Sequence, residues 1–348
     1  MRALAWTRAN LFNGPVNSVV TLIAIYLIAR WGWAVLDWGI VDAVWSAPDG
    51  RSCRAASDAG ACWAFIGRWY RFILFGRYPF EEQWRPLLVI ILFMSLVLAS
   101  CDRRMWRRAL QLTLVWLLGL LLCLILMRGG TFGLTYVSTD LWNGLPLTLF
   151  LSVIGLAGAF PLAILLALGR RSSLPTVRAL SVGYIELIRG VPLITVLFMA
   201  SVMLPLFLPG GVNVDNLLRA LIGLMLFEAA YLAEIVRAGL QAIPRGQYEA
   251  ADALGLSYWQ KTRLVILPQA LAIAIPPLVN TFIAAFKDTT LVTIVGLFDL
   301  LAAASNAITD PQWRGFYVEA YAFVAAIYFI FCFSMSRYSR YLERSFAK

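Results

Sequence analysis

PRGQYEAADALGLSYWQKTRLVILP, Pro244 to Pro268, is a polar stretch set between long apolar runs. It reads as two short helices with a break. Pro244 can open a helix, because its missing N–H is not needed in a first turn. Gln247 to Leu254 carries helix-forming residues, with Ala250 and Ala251 beside Glu249. Gly255 follows, the residue type that turns left-handed past a helix end at little cost. Ser257-x-x-Gln260 fits a capping box, so a second helix starts at Ser257 and runs to about Leu267. Pro268 then opens the next apolar span. The small side chains of Ala250, Ala251 and Ala253 allow close approach to another surface, and a helix laid in a partner's groove is a common recognition mode. An ordinary connector between two membrane helices reads the same way, and the residues alone leave both open.

The rest of the 348-residue chain is 61% hydrophobic and 14% charged, whereas a soluble chain carries about 25% charged residues. Its apolar runs reach the roughly 20 residues that cross a bilayer. The chain is therefore an all-α polytopic membrane protein, and an ordinary soluble core is excluded. About eight transmembrane helices are expected, near 15–36, 86–100, 109–127, 141–168, 186–208, 217–240, 269–286 and 316–335. Residues 209–211 read as a turn, and 291–304 as a re-entrant or interfacial segment. Residues 1–14 are short and basic, lack a cleavage site, and read as retained. Residues 37–85 form a long polar and aromatic loop holding Cys53 and Cys62. If that loop is exported, oxidising surroundings let the pair close a disulfide; two free thiols are the alternative. An organisational boundary falls near Asp140, with three spans in 1–140, a five-span unit in 141–340 and a tail at 341–348.

The net charge of +10 does not point to nucleic acid, because the basic residues cluster in short loops, where they set orientation. Arg2 and Arg8, the Arg103, Arg104, Arg107 and Arg108 group, Arg170, Arg171 and Arg178, and the tail with Arg337, Arg340, Arg344 and Lys348 all fall on one side. That side also holds the Pro244–Pro268 loop, so both termini are expected in the cytoplasm. There is no histidine, which removes histidine metal sites and Ser-His triads. No metal site is expected. No G-x-x-x-x-G-K-[ST] stretch is present to cradle a phosphate, so this chain is expected to bind no ATP.

Charges inside the membrane cost about 2.5 to 3.5 kcal/mol each on insertion scales. Glu186 and Arg189 fall early in the expected fifth span, Glu228 and Glu234 in the sixth, and Lys287 and Asp288 after the seventh. All six are candidates for a translocation path. Glu186–Arg189 and Glu234–Arg237 also read as i,i+3 pairs that only orient a helix end. Glu228 is deeper and has no partner in its own helix, which makes it the best path candidate. A path with fixed Glu, Arg and Lys suits a substrate carrying both an ammonium and a carboxylate.

Glu249-Ala250-Ala251, Gly255 and Leu267-Pro268 together resemble the EAA loop of ABC-importer permeases, with Val265 standing where the family usually has Ile. Upstream, Glu186-Leu187-Ile188-Arg189-Gly190-Val191-Pro192-Leu193 resembles the family's E-x-x-R-G-T-P-L stretch, with Val191 in place of Thr. Glu234 to Gly239 and Lys287 to Leu291 extend the likeness, which covers roughly Leu141 to Arg340 and is nearest the polar or general L-amino acid branch. The resemblance implies a type I ABC importer permease core in the last five helices. It implies docking of an ABC ATPase on Glu249, Ala250, Ala251, Gly255, Leu267 and Pro268. It further implies a periplasmic amino acid-binding protein, a second permease subunit in a heterodimer, and a bacterial inner membrane location. ATP and Mg would then be used by the separate ATPase, with no cofactor and no catalysis on this chain. Two other classes stay open on the residues: an ion-coupled secondary amino acid transporter, which would work alone, and a membrane enzyme, against which the missing nucleophile–base and metal-ligand clusters argue.

Overall fold

The structure, a computed structural model, describes residues 2–55, 60–106, 108–207, 209 and 214–346. Those residues are helical or irregular, apart from isolated β-bridges pairing Val44 with Cys62 and Gly144 with Asp299. The chain forms two compact units, Met1–Tyr70 with Ala307–Phe323, and Arg71–Asn306 with Val324–Lys348.

In the first unit, α1 (Arg2–Asn10) leads to α2 (Pro15–Leu36), which has no buried residue and closes in a π turn at Asp37–Val41. A helix apolar on every side is a lipid-facing span. Then come α3 (Gly50–Ala55) and α4 (Trp63–Phe75). The Asp49 carboxylate accepts the Ser52 hydroxyl and backbone N–H at 2.7 and 2.8 Å, and these bonds hold it below its usual range. The expected long loop thus contains a 13-residue helix, which at about 20 Å is too short to span. Cys53 and Cys62 are joined as a disulfide with Cα atoms 6.1 Å apart.

Around that bridge, the Glu319 carboxylate accepts the Cys62 N–H at 2.9 Å. Arg54 donates to the Arg314 carbonyl at 3.0 Å and lies over the Phe316 ring. Phe65 is fully buried against Trp313 and Phe316. Sequence reading gave no sign that the stretch before the last helix folds with the N-terminal residues, since the contacts lie some 250 positions apart. Thiol labelling of denatured protein without reductant should mark three of the five cysteines, Cys101, Cys123 and Cys332. Labelling of all five before reduction would show Cys53 and Cys62 free.

The second unit holds α5 (Trp84–Cys101), α6 (Arg103–Trp106), α7 (Ala109–Arg128), α8 (Gly144–Arg170), α9 (Pro175–Arg189), α10 (Leu193–Phe198), α11 (Asn216–Gln241), α12 (Arg245–Ala253), α13 (Tyr258–Lys261), α14 (Leu267–Asp288) and α15 (Leu300–Ala307). It ends with most of α16 (Tyr317–Phe346). The centre is α11, packed on α8 and α14. Ala159 and Ala163 of α8, Ala229 and Ala233 of α11 and Ala274 of α14 form one buried seam, which Ala167 and Ala270 continue. Lipid tails give no hydrophobic drive between spans, so small residues that let backbones approach do the packing. A methyl group at Gly239 would collide with the Ala270 carbonyl of α14.

Three expectations change. Among the described residues six helices are long and apolar enough to cross a membrane, seven if the bent pair α9–α10 counts as one, beside about eight expected. The expected sixth span, α11, is helical throughout but carries Arg219, Glu228, Glu234 and Arg237 and is not among them. The expected fifth span is bent by 104° between α9 and α10. Pro192 has no N–H to continue a helix and pushes Val191 out of helical geometry. Glu186 and Arg189 therefore end α9, ahead of the bend, rather than starting a span. Finally, Pro268 does sit in the first turn of the next apolar helix, α14, but no break precedes it: Tyr258–Val295 runs on through a π turn at Thr262–Ile266. Residues 289–307 are short pieces, a 3₁₀ turn at Thr289–Val295, left-handed Gly296 and α15. The expected turn at 209–211 falls partly outside the described residues, as do Arg107 and Lys348.

Candidate functional site

The loop of residues 244–268 is built from local signals. Pro244 caps α12, which ends in a Schellman motif: Gly255 N–H bonds to the Asp252 carbonyl at 2.9 Å and Leu256 N–H to the Ala251 carbonyl at 3.2 Å. That motif puts a left-handed residue just past the helix, and Gly255 has φ 70° with no atom within 4 Å of its missing Cβ. The Ser257–Gln260 capping box starts α13, with both reciprocal bonds present.

Side chains fix the hairpin to the long helices. Arg171, past the end of α8, donates to the Leu240 carbonyl and to the Tyr248 hydroxyl, both at 3.0 Å. The Tyr248 hydroxyl itself donates to Leu240 at 3.1 Å. Gln269 of α14 donates to Gln247 at 3.1 Å, and Lys261 pairs with Asp252 at 2.5 Å. Ala251 is buried against this frame, Leu267 is half-buried, and Glu249, Ala250, Gly255 and Pro268 are exposed. Leu254 and Trp259 continue the open face at 78% and 67% exposure. These bonds tie α12 to the ends of α8, α11 and α14. An open cleft of about 430 Å³ beside α12 is lined by Arg171, Leu240, Arg245, Tyr248 and Glu249, among others.

A second assembly lies where α8, α9 and α11 meet. Arg170 of α8 bridges Glu186 of α9 at 3.0 Å and Glu234 of α11 at 2.6 Å. Glu234 also takes Arg237 at 2.8 Å, and Arg189 of α9 approaches it at 3.8 Å. Glu186 and Arg189 do not pair with each other: Glu186 takes Arg170, and Arg189 faces Glu234. Arg170 was missed as a member because it reads as a loop charge closing a span. Its only sequence signal is the positional one of an Arg at a helix end.

Glu228 lies on α11, apart from this cluster, 4% exposed. Among the described residues it has no hydrogen bond or ion pair, and the Asp288 carboxylate is near enough to repel its charge. Asp288 is half-buried and Lys287 exposed at the end of α14. Asp299, fully buried, was missed inside an apolar run. It accepts the Leu301 and Ala302 N–H groups at 3.2 and 2.9 Å and the Tyr328 hydroxyl at 3.2 Å. Glu228→Gln keeps the shape and removes the ionisable carboxyl group. Uptake should fall while subunit assembly and thermal stability hold or rise; unchanged uptake kinetics for acidic, neutral and basic substrates would make Glu228 a structural residue.

An exposed loop helix bonded to the ends of long helices, six of them apolar enough to span a bilayer among the described residues, defines a class: a multi-pass membrane protein. Residues 159–348 match the family of binding-protein-dependent transport system inner membrane components. Across 345 residues, 99% of this chain and 93% of its relative, the sequence is 49% identical to the inner membrane amino-acid ABC transporter permease protein YhdY of Escherichia coli (strain K12). It is 42% identical, over 98% of this chain and 93% of its relative, to the glutamate/glutamine/aspartate/asparagine transport system permease protein BztC of Rhodobacter capsulatus. A crystal structure of an amino acid ABC transporter with histidines is similar at a TM-score of 0.51 and 34% identity, covering 58% of this chain and 92% of that chain. The chain belongs to the family of binding-protein-dependent transport system inner membrane components.

Proposed function

We infer that this chain is the permease subunit of an ATP-driven amino acid importer. The observation that carries the reading is the 49% identity, over nearly the whole chain, with a permease named for amino-acid ABC transport. The geometry supports it: the exposed face of α12 with Glu249 and Ala250, and Gly255 just past its end, offers an ATPase a rigid contact, and Leu267 and Pro268 begin α14 beside it. Hydrolysis of ATP with Mg belongs to the separate ATPase, and this chain binds no cofactor. A binding protein delivers substrate from the opposite face, and a second, related permease subunit completes the path. Glu186, Arg189, Glu228, Glu234, Lys287 and Asp288 are its charged candidates for that path. Residues 1–140 add to the transport core at 141–340. The test is uptake of a labelled amino-acid panel by vesicles carrying the reconstituted complex, with and without ATP. ATP-dependent accumulation of amino acids supports the reading, and accumulation of none of them removes it.

In this reading both termini and the residue 244–268 loop face the cytoplasm, because the basic loops collect on that side. A cytoplasm-active reporter fused after Lys348 should work, and one inserted at Arg51 should not. The reverse pattern would invert the topology.

A further inference from the structure

The charged cluster holds one guanidinium more than its carboxylates engage in hydrogen bonds. Its cations are Arg170, Arg189 and Arg237, and its anions Glu186 and Glu234. Arg170 serves both carboxylates. Arg237 bonds to both oxygens of Glu234, its Nε at 3.2 and 3.1 Å and its terminal nitrogen at 2.8 Å. Both Glu234 oxygens are therefore occupied. Arg189 reaches that carboxylate only at 3.8 Å, and among the described residues its guanidinium donates no hydrogen bond. It lies over the Tyr231 ring, 5.5 Å from the centroid, with its side chain 38% exposed. Tyr231 is in turn braced by Phe227 at 4.8 Å between ring centroids.

The placement matters as much as the spare donors. Arg189 is the last residue of α9, at the point where the chain bends by 104°. In membrane transporters, broken spans line substrate sites. A guanidinium presents a planar fork of donors that matches a carboxylate bidentately. An aromatic face beneath it keeps the fork in one plane without using its donors.

We propose that Arg189 takes the α-carboxylate of the transported amino acid. The proposal rests on the reading of the chain as an amino acid permease. The carboxylate is common to all amino acids, so Arg189 recognises the class and leaves the side chain to other groups. Arg170 and Arg237 stay on Glu234 and hold the cluster in place while Arg189 changes partner.

The test uses the purified complex of this permease, its partner permease and the ATPase without binding protein, so that no separate receptor selects the ligand. Labelled L-glutamine, L-lysine and L-leucine are displaced by the unlabelled acid or by its α-carboxamide. The amide keeps the side chain and the ammonium and loses the negative charge. In the parent complex the acid should bind roughly 10- to 100-fold more tightly than the amide, the range for hydrogen bonds to a charged group. In Arg189→Gln that ratio should collapse towards one for every bound pair, and Arg189→Lys should recover part of it. A plain structural role for Arg189 would lower all binding or assembly and leave the ratio intact, which overturns the proposal. A parent ratio near one overturns it even if the variant fails to assemble, and so does failure of all three acids to bind. A ratio near one in a parent complex that still accumulates amino acids with ATP removes this inference alone, whereas absence of any amino acid uptake removes the underlying function.

Discussion

Gly255→Val should leave membrane insertion near the parent level and cut ATP turnover stimulated by loaded binding protein to near the unstimulated rate. The space around Gly255 is open, so the penalty is in the backbone alone. At φ 70° an ordinary side chain costs about 1 to 2 kcal/mol, and a β-branched one is a marked outlier there. Relief comes by rotating out of the left-handed region. That breaks the Gly255–Asp252 and Leu256–Ala251 bonds and re-aims α13 against α12. Gly255→Asn is the control, because Asn enters this region readily and should keep most of the coupling. The measurements are co-purification of the ATPase and ATP turnover with and without loaded binding protein. Val at the parent level in both would make the hairpin a simple connector.

Glu234→Ala should give the largest loss of stability in the charged cluster. It leaves Arg170, Arg189 and Arg237 close together with only Glu186 among them. Breaking a buried ion pair from one side costs about 3 to 5 kcal/mol. The Glu234 side chain is 15% exposed and those of Arg170 and Arg237 24%, so solvent screening lowers the expected loss to about 2 kcal/mol. Glu186→Ala removes one bond from a carboxylate that is 57% exposed and should cost under about 1 kcal/mol. Thermal unfolding of the detergent-solubilised protein measures both. Equal losses, or a larger one at Glu186, would contradict the central place given to Glu234.

What could be read from the residues alone follows from how local each feature is. The capping box at Ser257 and Gln260 closes within four residues, and the left-handed turn at Gly255 depends on its own backbone; both stand in the structure. The span positions of α2, α5, α7, α8 and α16 were legible because apolar length alone decides them. The bend after Arg189 was written in Gly190-Val191-Pro192, but the apolar residues that follow made one straight span the simpler reading. The partners of Arg170 lie 16 and 64 positions away, beyond any helical period, so only the packing of α8, α9 and α11 reveals them. Asp299 was hidden for the same reason, since Tyr328 arrives from α16, 29 positions on.

The central claim is that energy enters through the hairpin of residues 244–268 from another chain. Vesicles carrying this permease and its partner permease, with and without the ATPase, test it directly. The ATP-containing complex, supplied with binding protein, should accumulate labelled amino acid, and Gly255→Val should lose that accumulation. Permease without ATPase should accumulate none under an imposed proton or sodium gradient. Gradient-driven accumulation by the permease alone, unaffected by Gly255→Val, would contradict the account.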